Sequence, residues 1–380
     1  MTAATTPSPQ LPLAGVVVLD LTWLLPGPFS THVLAELGAE VIKVERPEGG
    51  DYLRDLLPQT YRLINRGKKS VAVDLKSRVG KALFDEMAAE CDVVVEAFRP
   101  GVAKKLGVDY ESLSARNPAL VYLSISGYGQ TGPMAAAAGH DLNFLALAGA
   151  LSIPGHWGEM PRRSGLPVAD LAASLYGAIN VLAALKARDS TGRGAYIDLA
   201  IADAVLHWTQ VRFAERGDAT NWPHVWPGND VFETQDGHPL ALGIVETKFW
   251  KNFGEATTWA DAESLSREFE HAVSAVKRRK LGDLLRHSVA ERVAQQNLAY
   301  WTRVLTAHDV PYAVVNDSTT VFQEPHFHHR GMLTTIPGEN GTTITAVTFP
   351  GRAYRGAKGN APQLDEHGQK IRASKVARNS

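Results

Sequence analysis

The sequence predicts an α/β protein in which a doubly wound, mostly parallel sheet forms a large domain beside a smaller α+β domain. Three observations carry this. Short Val- and Ile-rich runs alternate with helix-length segments from Leu13 to about Ser126, the grammar of parallel βαβ units. With 380 residues and 44% hydrophobic content, the chain can bury one large core and a second, smaller one. After residues 221–230, rich in Trp, Pro, Gly and Asn, the pattern changes to a hairpin and then to a charged helical region.

Residues 16–21 are the first strand candidate. Pro28 suits a first helical turn and Gly38 a helix end, and residues 40–45, with their Val-Ile-Lys-Val centre, form the next strand. The same reasoning gives strand 70–75, helix 77–90, strand 92–98, a short helix at 110–115 and strand 120–126. Long helices are expected at 170–187 and 200–216. Residues 231–244 read as a hairpin turning at Asp236-Gly237, the region up to about His308 as helical, and 310–315 as a strand. The Gly- and Lys-rich tail after Pro350 is expected to return toward solvent or pack weakly. The organisation is therefore a large domain over 1–215, a crossover linker at 216–230, a small domain at 231–309, and a return to the large domain over 310–380.

Lys and Arg number 39 against 40 Asp and Glu, so no global basic field would gather nucleic acid or an anionic membrane, and neither is an expected partner. A polyanionic ligand must be held by a local cluster. The single cysteine, Cys91, beside the apolar run 93–95, reads as a core thiol, and cytoplasmic localisation fits. Residues 1–10 have neither a basic nor an apolar signal region and read as a lead-in. The most apolar helical stretch, residues 171–185, contains Ser174 and Asn180 and is short for a bilayer, so no membrane span is expected.

Several ordered motifs then become recognisable. Asp20-Leu-Thr-Trp-Leu-Leu-Pro-Gly-Pro28, Leu37-Gly-Ala-Glu-Val-Ile-Lys-Val-Glu-Arg-Pro47, Glu96-Ala-Phe-Arg-Pro-Gly-Val102, Arg116-Asn-Pro118, Ser124-Ile-Ser-Gly-Tyr-Gly-Gln-Thr-Gly-Pro133 and Gly139-His-Asp-Leu-Asn143 follow one another as in a known family. On these residues the chain resembles the class III CoA-transferases (CaiB/BaiF-type), and within them α-methylacyl-CoA racemase. The resemblance is strong over about 12–202 and moderate at 228–250 and 324–333. It implies a large domain made from both chain ends, an interlocked homodimer, an acyl-CoA substrate, and no cofactor beyond the coenzyme A carried by that substrate.

CoA bears a 3′-phosphate and a pyrophosphate, which call for Arg and Lys on loops at the strand ends of such a sheet. Arg46 follows the second strand candidate, Arg66 with Lys68 and Lys69 precedes the third, and Arg99 follows the fourth, with Lys104 and Lys105 one turn on. The resemblance places Arg46, Arg66 and Arg99 near the nucleotide and adds Val73, Lys105 and Asp141 to the expected CoA-binding set. As ordinary surface charges, the lysines would need no ligand.

Proton exchange at a thioester α-carbon needs a base, an acid and an oxyanion donor. By resemblance, His140 and Asp170 are the acid/base pair of a racemase interconverting 2-methylacyl-CoA epimers, with Glu246 in Gly243-Ile-Val-Glu246 as the histidine's partner. If 139–149 is helical, Asp141 points about 100° away from His140. The alternative is a CoA-transferase in which Asp170 is the covalent nucleophile. His140, Leu25 in place of a glutamine, and the missing glycine-rich loop before Glu246 favour the racemase.

Gly127-Tyr-Gly129-Gln-Thr-Gly132 matches a dinucleotide fingerprint, the basis of an oxidoreductase reading, but Pro133 follows where a helix should open. His326, His328 and His329 lack the ligand spacing of a metal site, and no metal is expected. Trp23, Trp208, Trp222 and Trp226 could line an acyl wall or the core, and the acyl group itself is not legible.

Overall fold

Residues 11–158, 162–214, 224–338, 341–351 and 356–376 are described by a computed structural model. β1 (Val17–Asp20), α1 (Pro26–Glu36) and β2 (Glu40–Glu45) form one βαβ unit. Short helices α2 (Leu53–Leu56) and α3 (Pro58–Ile64) lead to β3 (Lys69–Ala72), and α4 (Arg78–Glu90) leads to β4 (Val93–Glu96). After α5 (Val102–Leu106) and α6 (Tyr110–Ser114) comes β5 (Val121–Ser126). The first pass ends with α7 (Asp141–Leu147), α8 (Val168–Thr191), β6 (Ala195–Ala200) and α9 (Ile201–Phe213). The six strands make one parallel sheet in the order β3-β2-β1-β4-β5-β6, so growth reverses between β1 and β4. Ligands of such sheets bind beyond the strand C-termini at that reversal.

Local sequence explains the elements. Strands β4 and β5 are buried along their whole length, as expected for parallel strands covered on both faces. Ser77 caps α4 by accepting the Gly80 N–H at 3.0 Å. Pro26, in the first turn of α1, loses no hydrogen bond there. Helix α8 packs closely on α1 because Gly177 has no side chain: a Cβ there would lie 2.7 Å from Ser30 Oγ and 3.1 Å from Leu123. Cys91 is buried, and burial pushes its thiol up to about 12.

Two compact units emerge. One takes the described residues up to 148, 165–207 and those from 324 on; the other takes 149–164 and 208–323. The second holds an antiparallel sheet of β7 (Gly228–Glu233), β8 (Pro239–Ile244) and β9 (Tyr312–Val314). It also holds α10 (Thr247–Thr257), α11 (Ala262–Glu270), α12 (Ala275–Val293) and α13 (Leu298–Ala307), with Trp250, Phe253, Phe269 and Leu285 in its core. The chain then returns through α14 (Pro325–His329), the hairpin β10 (Leu333–Pro337) and β11 (Thr343–Val347), and α15 (Gly368–Val376).

Several expectations from sequence change here. β6 was not anticipated: its alternation of Tyr196, Asp198 and partly exposed apolar residues reflects a half-covered sheet edge. Residues 310–315 belong to the smaller unit, because β9 pairs with β8, and 149–164 joins that unit too. The anticipated linker at 216–230 falls partly on β7, and 216–223 lie outside the described residues, as do Trp222 and residues 1–10. The tail packs specifically: Asp365 accepts the Ala72 N–H at 2.8 Å, pairs with Arg372, and sets Ile371 against the large core. Helix α8 has 24 residues, longer than expected, and is the one described helix long and apolar enough to cross a membrane by composition.

Candidate active site

Helix α8 begins after Pro167, which offers no side-chain acceptor for the first N–H groups of the helix. Asp141, the first residue of α7, fills that role. Its Oδ1 accepts the Ala169 N–H at 2.8 Å and the Asp170 N–H at 3.4 Å. Asp170 thus sits in the first turn of α8 with its backbone fixed from a neighbouring helix. The Ser174 hydroxyl, one turn on, lies 2.7 Å from the Asp170 carbonyl oxygen and 2.8 Å from that of Pro26, tying this turn to α1. Burial, and then the Asp141 charge, push the Asp170 carboxyl up to about 6.

His140 is the exposed N-cap of α7, extended rather than helical, and its N–H donates to Asn143 Oδ1 at 3.0 Å. The helix assumed for 139–149 therefore starts at Asp141. The described link between this segment and Asp170 is Asp141, which follows His140 and caps the turn that carries Asp170. Glu246 lies on the other unit as the exposed N-cap of α10.

A cleft of about 520 Å³ opens beyond the C-termini of β1 to β4, lined by Trp23, Val44, Arg46, Val73, Lys76 and Phe98 among others. Two of the residues expected at CoA, Arg46 and Val73, are thus on it. The Arg46 guanidinium lies 4.4 Å from the Tyr52 ring centre and its Nε donates to the Gly50 carbonyl at 3.0 Å. Trp23 meets Tyr52 at 5.1 Å and Phe98 edge-on at 6.1 Å between ring centres. Arg99 and Lys105 are exposed just beyond β4, on the loop before α5 and in the last turn of α5.

Arg66 is placed differently. It is buried, paired with Glu36, and donates to the Val347 carbonyl at 3.0 Å, so its guanidinium joins α1 to β11. Lys68 is also withdrawn from solvent: its Nζ contacts Asp20 Oδ2 at 3.1 Å and Thr31, Asn65 and the Pro28 carbonyl at 2.8 Å each. Lys69 is half exposed and pairs with Glu40.

Sequence reasoning missed the buried ionic cluster under the cleft. Lys43 pairs with Asp51 at 2.9 Å and donates to the Thr22 carbonyl at 2.7 Å. Asp51 in turn accepts the Leu24 N–H at 3.1 Å, where Leu24 holds φ of 62°, a strained value for leucine. Together they pin the loop that carries Trp23. The signal was the presence of Lys43 in an otherwise apolar strand. Leu25 packs in a small apolar cluster with Leu53, Tyr61 and Ile64.

The glycine-rich segment 127–132 is a loop held by Asp198, whose carboxylate accepts the Gln130 N–H at 3.1 Å, while the Gln130 side chain donates to Ser124 at 2.9 Å. Ser124 bonds Glu96, whose carboxyl burial pushes up to about 7. His326, His328 and His329 lie on α14, and among the described residues no group of three or more His, Cys, Asp or Glu is gathered as for a metal. Trp226 packs on the core of the smaller unit, and Trp208 is partly exposed.

Residues 13–368 match the sequence profile of the family described as CoA-transferase family III. The human succinyl-CoA:glutarate CoA-transferase is 33% identical over 361 residues, covering 91% of this chain and 81% of its own. The acetyl-CoA:oxalate CoA-transferase of Acetobacter aceti is 32% identical and covers 98% of both chains. Among solved structures, a CAIB/BAIF family protein from Brucella suis superposes with a TM-score of 0.81 at 31% identity, covering 96% of this chain and 99% of its own. With a family match across nearly its whole length and full-length relatives above 30% identity, the chain belongs to CoA-transferase family III.

Proposed function

We propose that this enzyme moves CoA between carboxylic acids, with Asp170 as covalent nucleophile. The observation that carries this is the state of Asp170: fixed in the first turn of α8 and raised to about 6, its carboxylate is ionised at neutral pH yet more basic than a solvated one. The names of the relatives, which pair succinyl-CoA or acetyl-CoA with glutarate and oxalate, support short acids as donor and acceptor. They weigh against the racemase expected from sequence.

In the proposed cycle, the Asp170 carboxylate attacks the thioester carbonyl, the C–S bond breaks, and CoA leaves as thiolate from a mixed anhydride. The thiolate attacks the Asp170 carbonyl, the first acid departs as carboxylate, and Asp170 carries CoA. The acceptor carboxylate attacks that thioester, and the released thiolate then attacks the acceptor's acyl carbonyl, freeing Asp170. Protons and electrons balance without an added cofactor. The nucleotide end of CoA is assigned to the cleft at Trp23, Arg46, Val73 and Phe98, with Arg99 and Lys105 supplying positive charge at its edge.

The working unit is inferred to be a homodimer. Leu175 and Ile179 on α8 are 41% and 56% exposed, while the opposite face of the helix packs on α1 and β5, so a second copy is the natural cover for them. Neither nucleic acid nor membrane is part of this reading, and the cytoplasm is the proposed compartment.

One observation keeps the racemase in view: His140 is exposed beside the residue that holds Asp170. Mass spectrometry of enzyme incubated with succinyl-CoA separates the two. A CoA or acyl adduct on the Asp170 peptide, absent in Asp170→Ala, supports the transferase. Exchange of the α-proton of a 2-methylacyl-CoA for deuterium, without any adduct, would replace it by the racemase.

A further inference from the structure

The first turn of α8 is held by an acid where a neutral acceptor would serve. Capping uses a single oxygen of Asp141, Oδ1. The other, Oδ2, is buried and has no hydrogen-bond partner among the described residues. An unpartnered buried carboxylate oxygen is costly, and asparagine would offer the same Oδ1 without the charge. The charge stands directly beside the backbone of Asp170.

Among the described residues, other elements around this turn bring no charge that bears on Asp170. From α1 come the Pro26 carbonyl, through Ser174, and Ser30, which approaches Gly177; from β5 comes Leu123; from α7 come the exposed N-cap His140 and Asp141 itself. Besides burial, the Asp141 charge is what raises the Asp170 carboxyl.

We propose that Asp141 is a positioning residue, which fixes the first turn of α8 with one oxygen and sets a negative charge against the attacking carboxylate with the group as a whole. This rests on the reading of Asp170 as nucleophile. It differs from the CoA contact expected at Asp141 from sequence. The positioning keeps the carboxylate at a defined site in the helix, and the opposed charge keeps it basic, so that attack on the thioester is favoured over the performance of an ordinary aspartate.

The test is rapid-quench formation of the Asp170 adduct from succinyl-CoA, read by peptide mass spectrometry between pH 4.5 and 8, in wild type, Asp141→Asn and Asp141→Ala. Circular dichroism checks that each variant is folded. In the wild type the rate should rise with pH through a midpoint near 6, as Asp170 ionises. Asn keeps the cap and removes the charge, so its midpoint moves to lower pH, and at pH 5 it runs at a fraction of its own plateau about three-fold or more above the wild type's. Its plateau should stay within about three-fold of the wild type's, whereas Ala, which loses the cap as well, should shift likewise and drop about ten-fold or more in plateau rate.

A wild-type adduct together with an unshifted midpoint in both variants would overturn the proposal alone. So would a raised KM for succinyl-CoA as the sole change, which would return Asp141 to CoA binding. Absence of adduct in the wild type at every pH would overturn the nucleophile reading, and this proposal with it.

Discussion

Lys68 and Lys69 are neighbours in sequence with opposite fates, and replacing each by methionine tests the buried cluster under the cleft. Lys68 is fully buried and its ammonium holds Asp20, Thr31, Asn65 and the Pro28 carbonyl within 3.1 Å. Without it, Asp20 keeps Lys43 only at 4.0 Å, the Asn65 side-chain oxygen loses its donor, and the Pro28 carbonyl keeps the Thr31 hydroxyl alone of the two side-chain donors. Breaking a buried ion pair from one side costs about 3–5 kcal/mol, which for a unit of this size lowers the melting temperature by about 6–20 °C. Lys69 faces Glu40 at 2.6 Å with both side chains roughly half exposed. Its loss should cost no more than about 1 kcal/mol, or about 4 °C. Calorimetry, with urea unfolding followed by tryptophan fluorescence as a second measure, reads both variants against wild type. Equal melting temperatures for Lys68→Met and Lys69→Met would refute the reasoning.

The carboxyls of the cluster give the acid limb of stability. For Asp20, burial alone would raise the carboxyl, but Lys43, Lys68 and the Thr22 and Thr31 hydroxyls outweigh it and hold it well below its ordinary value, and Glu45 is lowered likewise by Arg54 and Lys43. Their stabilisation is present above about pH 4 and is lost as pH falls further, so their contribution to the urea midpoint should hold from pH 7 to 5 and fall below pH 4. Asp170 has the opposite sign: raised to about 6, it costs stability once ionised. Asp170→Asn should therefore stabilise by about 1–2 kcal/mol at pH 7.5 after discounting for its partial exposure, and by little at pH 4.5. Arg99→Ala should raise the KM for the CoA donor several-fold with a smaller effect on kcat, because phosphate contacts bind ground and transition states alike; an unchanged KM would remove Arg99 from the site. Gly177→Val should destabilise by about 1–3 kcal/mol by forcing α8 off Ser30 and Leu123, and a wild-type melting temperature would show that the helices can part freely.

The parallel sheet was legible because buried strands flanked by helices leave an unmistakable composition. Residues 40–45 stand out by Gly38 as the preceding helix end and by their Val-Ile-Lys-Val centre, and the observed β2 has those bounds. β6 was missed because an edge strand covered on part of its surface alternates with polar residues such as Asp198 and reads as loop. The specific packing of the tail was missed for a related reason: one apolar residue, Ile371, and one pair, Asp365 with Arg372, seat it on β3, and neither makes a periodic pattern. Arg66 and Lys68 show a further limit. A basic residue on a loop before a strand reads the same whether it meets a phosphate or a buried carboxylate several dozen residues away, such as Glu36 or Asp20.

The same limit governs the chemistry. His140, Asp141 and Asp170 were all singled out from sequence, yet their identities serve proton transfer and covalent attack equally well. What differs between those reactions is what each asks of the carboxylate. A general acid must hold a proton at neutral pH, which for Asp170 would require a carboxyl raised beyond about 6 or a partner that accepts from its protonated form. The cap from Asp141 instead bonds the backbone of that turn, at the Ala169 and Asp170 N–H groups. A nucleophile asks for the reverse: ionised, held still, and more basic than in water. The carboxylate in the first turn of α8 meets that demand through two terms that no residue type reveals, its burial and the charge of the acid on α7.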